Sequence, residues 1–325
     1  MQAIVRTRYG SPDVLQLTEV EKPVPKDDDV LVQVHAASVN TLDWHLMRGQ
    51  PFPVRAGGGL RKPKDTRLGV DLAGRVEAVG ANVTQFQVGD EVFGIGRGAF
   101  AEFACAAENN LALKPTNISY EAAAAVPISA VTALQGMRDK GQIQAGEQVL
   151  IQGASGGVGT FALQIAKALG ADVTAVCSTR NVDQAVALGA DHVIDYTQED
   201  FTKKRGKQRQ RYDLIAAVNG YHPLSAYLRT LRPKGRYVLV GASTHVFWAL
   251  VQALLLGPMI SRIGSKKVVG FVANPSRQHL AFLKELLEAG KIVPVIERRF
   301  TLGETSEAIR YLEEGHARGK LVITV

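Results

Sequence analysis

One stretch narrows the fold of this 325-residue chain more than any other: QVLIQGASGGVGTFALQIAKALG, residues 148–170. A short apolar run, VLIQ, meets a turn with glycine at 153, 156, 157 and 159, and a helical pattern begins at once. Glycine lets the backbone enter conformations that a Cβ forbids, and it lets peptide N–H groups approach a ligand closely. A strand that turns this sharply into a helix returns by a right-handed crossover to a parallel neighbour. The next hundred residues fit that demand: DVTAVCS, NVDQAVALG, HVIDY, YDLIAAV, LSAYLRTLR, RYVLVG and KVVGFV alternate short apolar strands with helical segments. With VLIQ they supply six strands, the number in a full doubly wound sheet, parallel and covered on both faces.

The chain before residue 120 has another texture. VLVQVHAASVN (30–40), LAGRVEAVG (72–80) and EVFGIG (91–96) alternate apolar and polar residues as strands do. Helical density first rises in SYEAAAAVPISAVTALQGM. The expected fold class is therefore α/β, with a β-rich domain over 1–121 and a Rossmann doubly wound parallel sheet over 122–273. A tail over 274–325 follows, with two helices and two strands ending in KLVITV.

Composition removes several classes. The chain is 46% hydrophobic and 21% charged, as ordinary globular proteins are. Its two cysteines, Cys105 and Cys177, match neither a disulfide framework nor a metal-ligand spacing, which fits a reducing compartment. The start, MQAIVRTRYG, lacks a signal-peptide pattern. The apolar run VFWALVQALLL (246–256) stops at Gly257 and Pro258, short of the roughly 18–20 residues of a membrane span. It reads as a core helix, or as an apolar lid through Phe247 and Trp248. A cytoplasmic location without a membrane span is expected. The net charge of +7 is concentrated in KKRGKQRQR (203–211), where no aromatic is interleaved before Tyr212, so a solvated loop is expected rather than a nucleic-acid surface.

The glycine turn is a candidate phosphate cradle, because amide groups at a helix N-terminus attract anions. Gly153, Ser155, Gly156, Gly157, Val158 and Gly159 are its candidate cofactor-binding residues. An acid at the end of the second strand selects NAD by bonding the ribose 2′-hydroxyl and repelling a 2′-phosphate. Here the second strand runs instead into Ser178, Thr179 and Arg180, two hydroxyls and a guanidinium suited to a phosphate. NADP(H) is the expected cofactor.

Several separated motifs converge beyond this. SVNTLDWHLMRG (38–49), LGVDLAGRVEAVG (68–80), VGDEVFG (88–94), the glycine turn, LGADHVIDY (188–196) and GHARGKLVI (315–323) together resemble the medium-chain dehydrogenase/reductase superfamily. The likeness is to its zinc-less quinone oxidoreductase branch. The resemblance implies a GroES-like catalytic domain built from both chain ends, a Rossmann domain inserted between them, and a cleft holding the active site. It also implies a homodimer paired through the last Rossmann strands, around KKVVGFV.

By the same resemblance, zinc alcohol dehydrogenases carry a cysteine where this chain has Asn40 and a histidine where it has Val70, and neither residue suits zinc. No metal is expected. Hydride transfer without a Lewis acid is easiest to an acceptor that spreads charge by itself, a quinone or an α,β-unsaturated carbonyl. The resemblance assigns Asn40 and Asp43 to the nicotinamide pocket and places His45 to hand a proton to the developing enolate, with solvent as the other source. It assigns cofactor contacts to Thr132, Tyr196, Asn219, Gly241 and Phe271, and a pyrophosphate contact to Lys320. A zinc alcohol dehydrogenase and a non-catalytic NADPH-binding redox sensor are the competing readings.

Overall fold

A computed structural model describes residues 1–203, 211–220, 222–240 and 265–325. Gly241, most of the basic run at 203–211 and the apolar run at 246–256 lie outside the described residues. The chain divides into two compact units, one of Met1–Val131, Pro275–Gly290 and Pro294–Val325, the other of Thr132–Asn274 and Lys291–Val293.

The second unit holds a six-stranded sheet. Its strands, in spatial order, are His192–Asp195, Asp172–Cys177, Gln148–Gln152, Tyr212–Ala217, Leu231–Leu239 and Lys267–Gly270. All are parallel to their neighbours. The glycine-turn strand thus lies centrally, with the next two strands on one side and the last three on the other. This is the doubly wound order, whose switch point is the crevice between the first and fourth strands. Leu150, Val176, Ile194, Ile215, Tyr227, Tyr237 and Leu239 form one buried cluster of this unit. Such strands are apolar without alternation because the sheet is covered on both faces.

The first unit is built on the eleven-residue strand Asp29–Val39. It pairs antiparallel with Asp71–Val79 along most of one edge. Its other edge is shared: Phe103–Ala107 takes Asp29–Gln33, and the final strand Lys320–Thr324 takes Ala36–Val39. Glu91–Ile95, Leu111–Leu113 and Ile296–Thr301 complete a seven-stranded sheet. Alternation returns a core of Val30, Val32, Val34, Leu72, Val76, Phe100, Leu321 and Ile323 on the buried side. The tail therefore supplies an inner strand of the first unit.

The division between units falls ten residues later than the composition shift at 121–122. The alanine-rich helix Tyr120–Ala124, capped by Ser119, packs on the strands of the first unit and belongs to it. Lys291–Val293 go with the second unit because the Gln164 amide brackets Val293, donating to its carbonyl at 3.0 Å and accepting from its N–H at 2.7 Å. No helix among the described residues is long and apolar enough to cross a membrane.

Candidate functional site

The long strand ends at Val39, and the helix Thr41–Arg48 starts one residue later. Asn40 is its N-cap, in extended conformation, and Asp43 closes a capping box with it: the Asn40 N–H donates to Asp43 Oδ2 at 2.8 Å. The Asp43 carboxyl is fully buried, and its Oδ1 has no hydrogen-bond partner. Burial, reinforced by the nearby Asp71 charge against the opposing N–H of Asn40, pushes it up to about 7. The helix is fixed at its outer end, where Glu313 accepts from Arg48 Nε at 2.7 Å and from the Trp44 ring.

Behind this cap lies a buried ionic cluster. Asp71 opens the neighbouring strand and is wholly inaccessible. Its Oδ2 accepts from Ser38 Oγ at 2.9 Å and Asn40 Nδ2 at 2.9 Å, and its Oδ1 accepts from the Ile128 N–H at 3.0 Å. Lys320, from the last strand, is 2% exposed. Its Nζ reaches Asn40 Oδ1 at 2.6 Å, Val39 O and Ser129 Oγ at 3.2 Å, and Asp71 Oδ2 at 3.5 Å. Burial pushes the Lys320 ammonium down and the Asp71 carboxyl up, and the charge of each opposes the shift in the other.

Lys320, expected to contact the pyrophosphate, is thus buried within the first unit. Four oxygens surround its three donors, the shortest contact being to Asn40 Oδ1. Asn40 and Asp43 are likewise committed to a helix cap, and only one carboxyl oxygen of Asp43 stays unengaged. His45 is 8% exposed. Its Nδ1 lies 2.6 Å from the Gln50 carbonyl, which can only accept, so Nδ1 carries a proton.

The second unit carries the glycine turn. Gly153 sits at φ +79°, and a Cβ there would stand 3.1 Å from Asn219 N and Cβ. Gly159 presses against the turn, where a Cβ would lie 2.0 Å from the Gly153 carbonyl. At Gly156, the N-cap of the helix Gly157–Ala168, a Cβ would meet nothing within 4 Å. Two glycines let the turn close, and the third leaves open space before the first-turn N–H groups of the helix. Ser155 and Val158 are half-buried within it.

A cavity of about 270 Å³ lies at the carboxyl ends of these strands, lined by Gln152, Gly153, Tyr196 and Asn219. It is smaller than the roughly 300–1,000 Å³ of whole-ligand pockets, so it suits one part of a dinucleotide. The donor set, the open space at Gly156 and an unpartnered buried amide at Gln152 fit a nicotinamide dinucleotide. The structure brings Tyr196 and Asn219 together there, while Thr132 is buried in the helix Pro127–Leu134 and Phe271 lies close to Gly136.

Beside Ser178, Thr179 and Arg180 the structure adds a residue that the sequence motifs do not reveal. The third strand pairs with the second so that Asp195 stands opposite Cys177. Its Oδ2 accepts from Thr179 Oγ1 at 2.5 Å. The hydroxyl of Thr179, expected to serve a phosphate, is thus directed at a carboxylate, with the Thr197 hydroxyl 2.9 Å away on its other side. Ser178 Oγ accepts from the Asn181 amide at 3.1 Å, and Arg180 is exposed. Among the described residues no group of three or more His, Cys, Asp or Glu side chains has the arrangement of a metal site.

The chain is similar to known proteins. The family described as "Alcohol dehydrogenase GroES-like domain" matches residues 26–116, and that described as "Zinc-binding dehydrogenase" matches residues 188–323. The mitochondrial NAD(P)H oxidoreductase RTN4IP1 of Danio rerio is 33% identical, over 100% of this chain and 91% of its own. A 2-methylene-furan-3-one reductase of Solanum lycopersicum is 34% identical, over 99% of this chain and 79% of its own. The solved quinone oxidoreductase from Coxiella burnetii superposes with a TM-score of 0.86 at 30% identity, covering 100% of this chain and 99% of that one. The chain belongs to the medium-chain dehydrogenase/reductase superfamily, in its quinone-oxidoreductase-like branch.

Proposed function

We propose that the chain is an NADPH-dependent reductase of quinones or α,β-unsaturated carbonyl compounds that works without zinc. The observation that carries this reading is the engagement of Asn40. Its amide donates to Asp71 and to the Ser38 carbonyl and accepts from Lys320, so both ends of the side chain are spent inside the protein. An amide so held is no metal ligand, and Val70 offers none.

Without a Lewis acid the acceptor must delocalise incoming charge itself. The names of two relatives are consistent with this, one carrying a quinone and the other a conjugated furanone. The nicotinamide cofactor supplies the hydride when bound. The glycine turn binds its pyrophosphate through backbone N–H groups, and Ser178 with Arg180 recognises the 2′-phosphate. His45, with its Nδ1 proton fixed by Gln50, gives or takes a proton at Nε2. The same proposal includes a homodimer through the edge strand Lys267–Gly270 and a cytoplasmic place of action.

The test is turnover of a panel of quinones, enones, saturated ketones and aldehydes, followed by loss of nicotinamide absorbance with NADPH and with NADH, on protein treated with a strong chelator. The proposal expects quinone or enone reduction that survives the chelator and favours NADPH. Turnover confined to alcohols and aldehydes, and lost with the metal, would refute it.

A further inference from the structure

Gln152 closes the strand ahead of the glycine turn, where a polar residue ordinarily meets solvent. It is 1% exposed instead. Its Oε1 accepts from the Tyr227 hydroxyl, and its Nε2 has no hydrogen-bond partner although it is buried. A buried amide N–H₂ without an acceptor is costly, and folded proteins rarely keep one without a use.

The clamp on this amide is rigid. Tyr227 is 1% exposed, on the helix Leu224–Thr230, with the rings of Tyr237, His222 and Phe201 at centroid distances of 5.0, 5.7 and 6.3 Å. The His222 N–H donates to the same hydroxyl at 3.3 Å, so the phenol oxygen accepts from one side and donates its own proton to Gln152. Gly220 makes room for it, since a Cβ there would come within 2.9 Å of the Tyr227 hydroxyl. With Oε1 engaged by Tyr227, Nε2 is the end of the amide left without a bond.

Gln152 also lines the cavity shared with Gly153, Tyr196 and Asn219. Gly153 and Tyr196 directly follow the first and third strands, which belong to the half of a doubly wound sheet that takes the adenosine side of a dinucleotide. We propose that Gln152, oriented by Tyr227, is a binding residue whose Nε2 donates a hydrogen bond to the adenosine half of the cofactor. This rests on the nicotinamide-cofactor reading above and names a contact within it. The bond uses a donor prepared in advance, so binding does not have to order the side chain.

The test measures dissociation constants of NADPH, 2′,5′-ADP and nicotinamide mononucleotide by calorimetry for the wild type and three variants. Gln152→Glu keeps an acceptor for Tyr227 and removes the donor, Gln152→Leu removes both polar atoms, and Tyr227→Phe frees the amide. We expect the two Gln152 variants to bind 2′,5′-ADP and NADPH roughly 5- to 20-fold more weakly, and Tyr227→Phe roughly 3-fold more weakly, with nicotinamide mononucleotide unchanged. Thermal melting and circular dichroism identify any variant that fails to fold, and Gln152→Glu is the deciding variant if Gln152→Leu does. Unchanged 2′,5′-ADP binding by a folded Gln152→Glu, in a wild type that binds NADPH, overturns the assignment of Gln152 alone. A wild type that binds neither NADPH nor NADH overturns the functional reading and this inference together.

Discussion

Replacing Lys320 by Met tests whether the buried cluster is an ion pair held in balance. The substitution removes a charge that is 2% exposed and strips a donor from Asn40 Oδ1, Val39 O and Ser129 Oγ. It leaves Asp71 at 0% exposure, facing three remaining donors from Ser38, Asn40 and Ile128. Loss of one partner from a buried pair costs about 3–5 kcal/mol, and the three surviving donors to Asp71 place this case near 3 kcal/mol. That corresponds to a fall of roughly 6–12 °C in the melting temperature of the unit. The double variant Lys320→Met with Asp71→Asn removes the stranded charge and is expected to recover most of the loss. Acidity gives an independent arm. Burial raises the folded carboxyl of Asp71 above its unfolded value, so its charged form weakens the fold increasingly as pH rises past the unfolded pKa of about 4. The deficit of Lys320→Met relative to the wild type should therefore be smaller at pH 5 than at pH 8. Chemical denaturation of the three proteins at both pH values decides between the outcomes. A loss below about 1 kcal/mol, or a double variant no more stable than the single one, would refute the pairing.

Gly159→Ala puts a Cβ 2.0 Å from the Gly153 carbonyl and should cost about 3 kcal/mol, whereas Gly156→Ala meets no neighbour and should leave the melting temperature unchanged while NADPH binding weakens at least about 10-fold. Asp195→Asn removes a negative charge beside the Thr179 hydroxyl, and the ratio of NADPH to NADH affinity should rise about 5-fold, read from paired titrations at low salt. Asp43, pushed up to about 7 in the folded chain, binds protons that the unfolded chain has released, so stability should decline between about pH 4 and pH 7. Asp43→Asn should flatten that slope in denaturation curves, and an unchanged slope would show that Asp43 does not titrate in this window.

The six-stranded sheet is readable in the sequence because its signals are local: apolar runs, glycine punctuation and helical periodicity each lie within some 20 residues. The glycine turn is readable for the same reason. The ionic cluster is not, since Ser38, Asn40, Asp71, Ser129 and Lys320 come from distant parts of the chain and meet only through the register of three strands. A lysine in a glycine-flanked segment looks solvent-exposed, and only the strand pairing reveals that it is interior. Asp195 is hidden because the selecting acid belongs at the end of the second strand, while this carboxylate arrives from the third. Gln152 looks like an ordinary polar strand end, and its enclosure depends on Tyr227, 75 residues away.

The strand Lys320–Thr324 lies between Ile296–Thr301 and the long strand Asp29–Val39 of the first unit. During synthesis, residues 29–39 and 71–79 emerge early, but their sheet lacks an interior member until residues 320–324 leave the ribosome. The first unit's sheet therefore cannot be completed until Thr132–Asn274 of the second unit have been translated. Chain order thus puts the strand that completes the first unit, and with it the ion-pair partner of Asp71, behind the residues of the second unit.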